Sequence, residues 1–205
     1  MSPLQPVFLN LWRSYQVSLL NAEKLWESLY AQHTHKSRYY HDLSHLENLY
    51  AQLEPLKPHI EDWEAVLFAL FYHDYVYKAT KKDNEVKSAE LLRGLMESYH
   101  LPQALIDKAT HIILATQKHE ASDLDTCYFL DADLSVLGMD WEIYSNYYQG
   151  VRKEYVIYPD IIYKPGRKKV LQYFLNMPTI YKTDCFKGKF ETTARVNLQR
   201  ELGQL

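Results

Sequence analysis

Apolar side chains recur along this chain at intervals of three and four residues, which is the period of an amphipathic α-helix. Long segments in which apolar and polar residues alternate are scarce, and only six glycines interrupt the pattern. With 205 residues, the chain has the length of one ordinary domain. The pattern therefore predicts an all-α fold, a single-domain helical bundle that spans residues 1–205.

Capping residues and helix breakers set the predicted bounds of the helices. Asp62 has the character of an N-cap, and Pro102 suits the first turn of a helix. Pro55, Gly138 and Pro159 mark places where helices end. The predicted helices cover about 7–30, 41–53, 62–77, 84–99, 102–117, 126–137, 140–158, 166–176 and 189–202. The core residues expected in the first helix are Leu11, Trp12, Leu19, Trp26 and Leu29.

Charge and cysteine content narrow the classes of function. The chain has 23 basic and 26 acidic side chains, a net charge of −3, which does not favour a non-specific nucleic-acid binder. The basic triplet at 167–169 is either a local binding patch or, as we favour, a solvated helix start. Cys127 and Cys185 stand far apart with no Cys-x-x-Cys motif, so neither a disulfide framework nor a thiolate zinc site is expected.

The chain carries no sequence signal for secretion or for a membrane span. Residues 1–10 lack the basic region and long apolar run of a signal peptide, and no stretch of about 18 apolar residues occurs. We therefore expect a cytoplasmic protein with no membrane partner. The oligomeric state, a homodimer included, stays open.

The helix predicted over 62–77 carries two polar residues where its apolar face should continue. His73 and Asp74 prolong the stripe, so both should point inward. An ionised carboxylate is costly to bury unless it is paired or binds a metal. Adjacent helical side chains diverge by about 100°, and an ion lying between them can be reached by both. From this helix alone, a pair of metal ligands and a packed histidine beside a capping aspartate stay equally open.

Two further polar pairs stand among apolar residues. His41 and His45 are spaced i and i+4, so they should project from one helical face, either as two ligands or as a ligand and a proton-transfer group. Asp131 and Asp133 lie in an apolar segment and need counter-charge. On a helix they point about 160° apart, so one of them at most is the main ligand.

The order His45, His73-Asp74 and Asp133 resembles the HD superfamily of metal-dependent phosphohydrolases, whose pattern is His…His-Asp…Asp in helical order. This resemblance implies an HD-type helical bundle in which these four residues hold a divalent metal ion. The core that carries the metal site would cover about 38–137, with the helices of 140–205 packed on it.

Two short segments are also similar to cyclic-nucleotide phosphodiesterases of that superfamily. Residues 40–46 match Tyr-His-Asn-x-x-His-Ala, with Asp42 and Leu46 departing from it, and residues 132–135 match Ala-Asp-Leu-Ser. The similarity implies that His41 protonates the leaving oxygen. The departures speak against a cyclic-nucleotide substrate.

A wider resemblance, to a little-characterised bacterial family of predicted HD phosphohydrolases, covers nearly the whole chain and implies no particular substrate. The segments that carry it are 38–41, 72–77, 84–89, 116–119, 129–134 and 191–198.

Two imidazoles and two carboxylates suit Mn, Fe, Co, Ni, Zn or Mg, as one ion or two. We expect the substrate to be a small phosphorylated, nucleotide-like molecule.

Glu85 is a candidate for orienting water or holding a second ion. The alternative is that it only stabilises the first turn of its helix. Arg38 and His119 are candidates for phosphate contact. The alternatives are a surface salt bridge for Arg38 and a packed histidine for His119.

Two other functions compete with hydrolysis. An HD-type diiron oxygenase would need extra histidines between the His-Asp pair and the last aspartate, and His111 and His119 fall in that interval. A non-catalytic metal- or nucleotide-binding module is the other alternative, although the complete ligand set speaks against it. The remaining histidines are predicted to be solvated in loops: His33, His35, His59 and His100.

Overall fold

Ten α-helices and two short 3₁₀ helices make up the computed structural model, which describes residues 2–205 and contains no β-strand within them. The prediction of an all-α protein is confirmed. None of the described helices is long and apolar enough to cross a lipid bilayer. The α-helices are α1 (Leu4–Ser14), α2 (Leu19–His33), α3 (Leu43–Leu53), α4 (Trp63–Tyr72), α5 (Asn84–Ser98), α6 (Gln103–Thr116), α7 (Leu124–Asp133), α8 (Trp141–Glu154), α9 (Asp160–Asn176) and α10 (Asp184–Leu202), and the 3₁₀ helices are Glu54–His59 and Leu134–Gly138.

The helices group into two compact units. The first ends at Phe129, and the second covers Leu130–Leu205. The organisation of the chain as a single domain stays a prediction.

The helix predicted over 7–30 is two helices, and the prediction was wrong at the break. Gln16 adopts a positive φ of 61°, which ends α1, and the side chain of Ser18 accepts a hydrogen bond from Asn21 N to start α2. The break resets the helical phase. Leu19 is therefore exposed, whereas the other four residues predicted for this core are buried.

The first unit is built around α4, in which every residue from Ala65 to Tyr72 is buried. Phe8 and Trp12 of α1 cover it, with ring centroids 4.9 Å from Phe71 and 5.1 Å from Phe68 respectively. The predicted N-cap is confirmed, because the Asp62 side chain accepts a hydrogen bond from Ala65 N. Packing on all sides holds α4, and so places the residues at its C-terminal end.

In the second unit a buried ion pair joins α9 to α10. Arg167 donates to Glu201 through Nε at 2.7 Å and through an Nη at 2.9 Å, and Tyr144 of α8 also forms a hydrogen bond with Glu201.

Helix α9 starts at Asp160, about six residues before the predicted start, and contains Pro165. A proline in the second turn removes one backbone hydrogen bond without ending the helix.

Gly138 of the second unit has no room for a side chain. A Cβ added there would lie 2.5 Å from Phe190 Cβ and 2.7 Å from Phe190 O, so backbone would have to move. We expect Gly138→Ala to lower the free energy of unfolding by about 1–3 kcal/mol in urea titrations. Gly188→Ala is the matched control, because nothing lies within 4 Å of its added Cβ. Equal stability of the two variants would contradict this packing.

Candidate metal centre

His73 and Asp74 lie where α4 ends. His73 still has helical dihedral angles, and its backbone N–H donates to Ala69 O at 2.8 Å. The predicted continuation of this helix to Tyr77 is wrong, since the chain turns away directly after His73. Asp74 thus follows the C-cap residue His73 and lies outside the helix, and its side chain is 17% exposed.

The ring of His73 is oriented by a backbone carbonyl. Its Nδ1 lies 3.1 Å from Leu70 O, and because a carbonyl oxygen only accepts, Nδ1 carries the hydrogen. This arrangement leaves Nε2 with its lone pair, as in metal-binding histidines whose other nitrogen donates to a carbonyl.

His45 comes from α3, which begins later than predicted. The Asp42 side chain accepts hydrogen bonds from Ser44 N and His45 N, so Asp42 is the N-cap and His41 precedes the helix. The expectation that His41 and His45 share a helical face is therefore wrong. Their rings nevertheless lie near each other, with centroids 6.0 Å apart.

Three potential ligand atoms converge at this point. His45 Nε2 lies 3.2 Å from His73 Nε2, and Asp74 Oδ2 lies 3.2 Å from His73 Nε2 and 3.7 Å from His45 Nε2. These residues form the one cluster with metal-ligand spacing among the residues that the structure describes. Both histidines are buried.

The separations fit a single divalent ion. Ligands about 2.1 Å from one ion lie about 3.0 Å apart at a right angle and about 3.4 Å apart at a tetrahedral angle. Lone pairs on neighbouring nitrogen and carboxylate oxygen atoms repel one another unless a cation or a proton lies between them. A proton relieves one of the three contacts, whereas an ion relieves all three.

The histidines keep Asp74 ionised. Burial by itself raises the pKa of this carboxyl, but the neighbouring His73, His41 and His45 outweigh it and hold the pKa well below its usual value. An ionised carboxylate beside two imidazoles is a donor set for a hard or borderline divalent ion.

Arg38 braces the backbone on both sides of the cluster. One Nη donates to His41 O at 2.9 Å and to Asp74 O at 2.7 Å, and the other donates to Tyr75 O at 2.9 Å. The guanidinium is buried and also lies 5.5 Å from the ring centroid of Tyr77. This geometry makes Arg38 a positioning residue that ties the segment before α3 to the end of α4. Its predicted contact with a substrate stays a prediction.

His41 stands at the partly exposed side of the cluster. Its ring stacks on Tyr77 with centroids 4.2 Å apart and an interplanar angle of 29°. Tyr40 meets both His41 and His45, with ring centroids 4.9 Å and 5.0 Å away. The two tyrosines hold the imidazole beside the cluster while its surface stays accessible.

The first turns of α5 fasten the loop that follows Asp74. Ser88 Oγ accepts from Val76 N at 3.0 Å, and the Asn84 side-chain amide pairs with both backbone groups of Lys78, at 3.1 Å and 3.0 Å. Asn84 thus pins a loop, and Asp83 occupies the N-cap position.

Glu85 lies on the same turn as these two side chains. Burial raises its pKa, and the charge of Asp74 raises it further, while His73 and His41 lower it. The charges of the cluster therefore act on Glu85. The role of Glu85 in orienting water or a second ion stays a prediction.

The remaining candidates are His119, His111, Asp133 and Asp131. His119 follows α6 in the left-handed region with a φ of 53°, and His111 is exposed with Nε2 2.9 Å from Ser122 Oγ. Asp133 is the last residue of α7 and belongs to the second unit, so its part in metal binding stays a prediction. Asp131 accepts from the backbone N–H groups of Lys182 and Thr183, at 2.7 Å each. Hydrogen bonds from the backbone thus satisfy the buried carboxylate of Asp131.

His33 was predicted wrongly as a solvated loop residue. It ends α2, is fully buried, and its Nδ1 lies 3.0 Å from Leu29 O. Burial, with the nearby charge of Arg38, lowers the pKa of His33 to about 3, so the ring is neutral. The spacing of four residues from Leu29 is the signal in the sequence that places His33 on the buried face.

Comparison of the chain with protein-family models, with curated proteins and with solved structures finds no match. The resemblance to HD phosphohydrolases therefore rests on the motifs of this chain alone.

Proposed function

We propose that this protein is an HD-type metal-dependent phosphohydrolase. The observation that carries the proposal is the convergence of His45 Nε2, His73 Nε2 and Asp74 Oδ2, with no two of these atoms more than 4.8 Å apart. Such a set of two nitrogens and one carboxylate oxygen, with both imidazoles buried, is matched to a divalent ion. We further propose Asp133 as the fourth ligand, by resemblance to the His…His-Asp…Asp order.

The metal is proposed to be Mn, Fe, Co, Ni, Zn or Mg, since the donor set contains no thiolate that would select a soft ion. When bound, a divalent ion supplies Lewis-acid chemistry, polarising a phosphoryl oxygen and making water more acidic. Phosphate esters are substrates that this chemistry suits.

The residues around the cluster would handle protons and position groups. His41, partly exposed and held against Tyr77, would give a proton to the leaving oxygen. Glu85 would accept a hydrogen bond from the attacking water, because its raised pKa brings the carboxylate nearer in basicity to that task. Arg38 would keep His41 and Asp74 in place through their carbonyl oxygens.

The substrate is proposed to be a small phosphorylated molecule of nucleotide-like shape. Tyr39, which is 53% exposed, stands two residues before His41 and offers an aromatic face to a base. We place the protein in a reducing cytoplasm, in keeping with its two free cysteines.

Elemental analysis of the purified full chain, combined with chelation, tests the metal. We expect about one ion per chain, and a fall of roughly 5–11 °C in the midpoint of thermal unfolding after chelation. A screen of nucleotides and phosphate esters with each candidate metal should then give turnover. A protein without metal, whose melting is unchanged by chelator, would refute the proposal.

Two other outcomes of this experiment would point to the competing functions. Two irons per chain would favour the diiron oxygenase, although His111 is exposed and bonded to Ser122. A metal-loaded protein without turnover on the whole panel would favour the binding module.

A further inference from the structure

The connection between α8 and α9 exposes an unusual amount of apolar surface. The most exposed large apolar side chains in the described part of the chain are Ile161 in the first turn of α9, at 84%, and Val156 and Ile157 of this connection, at 76% and 67%. Ile162 beside them is 58% exposed. We call these four side chains the α8–α9 tip. The surfaces of soluble proteins seldom expose several such residues in one short segment unless a partner covers them.

The backbone beneath the tip is fixed. Arg152 donates to Tyr155 O at 3.1 Å, to Tyr158 O at 3.2 Å, and twice to Asp160 Oδ1, at 3.0 Å and 2.7 Å. Backbone hydrogen bonds from Tyr158 N to Tyr155 O and from Ile162 N to Pro159 O close the turn. Most polar groups of the turn are thus satisfied internally, which is what a segment needs to enter an apolar environment.

The four side chains of the tip project from the surface, since each is exposed by 58% or more. They do not themselves line a groove in which a partner peptide could lie. A projecting apolar turn with its polar groups satisfied is suited to penetrate a soft, extended surface.

The segment that contains the tip is rich in positive charge. Residues 152–169 contain six basic and two acidic side chains, a net charge of +4, whereas the whole chain carries −3. Asp160 pairs with Arg152, and Arg167 pairs with Glu201 of α10. The segment also contains four lysines, which we call the lysine collar: Lys153, Lys164, Lys168 and Lys169.

Three tyrosine rings pack together in the same segment. Tyr155 has ring centroids 6.1 Å from Tyr158 and 6.0 Å from Tyr163, and Arg152 lies 4.6 Å from the ring centroid of Tyr163. Amphipathic aromatic rings of this kind favour the boundary between lipid headgroups and acyl chains.

We propose that the α8–α9 tip docks the protein onto an anionic lipid bilayer, with the four aliphatic side chains in the headgroup–acyl boundary and the lysine collar on anionic headgroups. Charge favours this occupant over a second copy of the chain, because a symmetric contact would bring two positive collars together. The expectation of no membrane partner is thereby revised: it rested on the lack of a spanning segment, whereas this attachment needs none.

Sedimentation of the full chain with vesicles tests the docking. Wild-type protein should bind vesicles of phosphatidylcholine containing about 30% phosphatidylglycerol more tightly than pure phosphatidylcholine vesicles, and added salt should weaken this binding. Each basic residue near an anionic surface contributes roughly fivefold to the binding constant. The double variant Lys168→Gln/Lys169→Gln should therefore bind about 25-fold more weakly, whereas Lys81→Gln/Lys82→Gln, exposed on the first unit, should not.

A second pair of variants tests the apolar part. Replacing all four tip residues by serine should weaken binding roughly tenfold or more, because the inserted apolar surface is lost. The control Leu20→Ser/Val196→Ser removes exposed aliphatic residues from α2 and α10 and should bind as wild type does. All of these side chains are exposed, so unfolding midpoints should be unchanged.

Three results would overturn the docking proposal. They are wild-type protein that does not bind the anionic vesicles, a tip variant that binds as wild type does, and a wild-type dimer in solution that the tip variant alone loses. The last result would assign the tip to a second copy of the chain.

Discussion

Asp74→Asn is expected to release the metal and to lower turnover by on the order of 1,000-fold. The amide matches the carboxylate in shape, so the fold should be kept while the only negative charge of the three converging groups is lost. Asp74 Oδ2 lies 3.2 Å from His73 Nε2 and 3.7 Å from His45 Nε2, and an amide in that place offers an ion a much weaker ligand.

Metal content, turnover and thermal unfolding with and without chelator measure this effect together. The wild-type protein should lose stability on chelation, and Asp74→Asn should not, because it has no ion to lose. An Asp74→Asn protein with full metal content and wild-type turnover would remove Asp74 from the site.

Asp125→Asn is the matched control for this experiment. Asp125 is a buried carboxylate of the same unit that accepts from Glu61 N at 2.9 Å and from Asp62 N at 3.0 Å. Its replacement should reduce stability, since it weakens hydrogen bonds ahead of α4, while metal content stays that of wild type. Loss of metal in both variants would mean that the binding is sensitive to any damage of the first unit.

His41→Ala is expected to keep the metal and to lower turnover by about 100- to 10,000-fold, the range over which general acids contribute. The imidazole stacks on Tyr77 and stands outside the three converging ligands, so its removal leaves them in place. The loss should be large for alkyl phosphates. It should be small for aryl phosphates such as p-nitrophenyl esters, whose leaving group needs no proton.

Elemental analysis and turnover on the two ester classes separate the roles open to His41. His111→Ala is the control, because this exposed histidine bonds only to Ser122 in its neighbourhood and should leave both measurements unchanged. Loss of metal in His41→Ala would make His41 a ligand, and equal losses on both esters would deny it the role of acid.

Much of the fold can be read from the sequence because its causes are local. A helix is specified by residues three or four positions apart and by caps such as Asp62, so the helical class and most helix positions follow directly. Errors arose where one residue overrides the period. Gln16, with its positive φ, divides the first helix, and Asp42 starts α3 two residues after the predicted start.

Three of the ligands that the sequence predicts, His45, His73 and Asp74, converge in the structure, and the roles of the other predicted site residues stay predictions. The His-Asp pair at the end of an apolar helix stands out in the sequence, although a packed histidine beside a capping aspartate would explain it as well as two metal ligands would. The Arg38 brace and the burial of His33 were missed, because both depend on segments that are distant in sequence or on a helix end that was misplaced.

By itself, then, the sequence determined the all-α class and the polar anomaly at His73 and Asp74, and its motif order is the ground on which we propose a metal-dependent hydrolase. The tertiary structure decided that His45 contacts His73, 28 residues away in sequence, and that Asp131 accepts hydrogen bonds from the backbone N–H groups of Lys182 and Thr183. The physical reason is the range, along the sequence, of the interactions that each feature depends on. Helix formation depends on neighbours within one or two turns, whereas the convergence of ligands depends on which helix faces pack together.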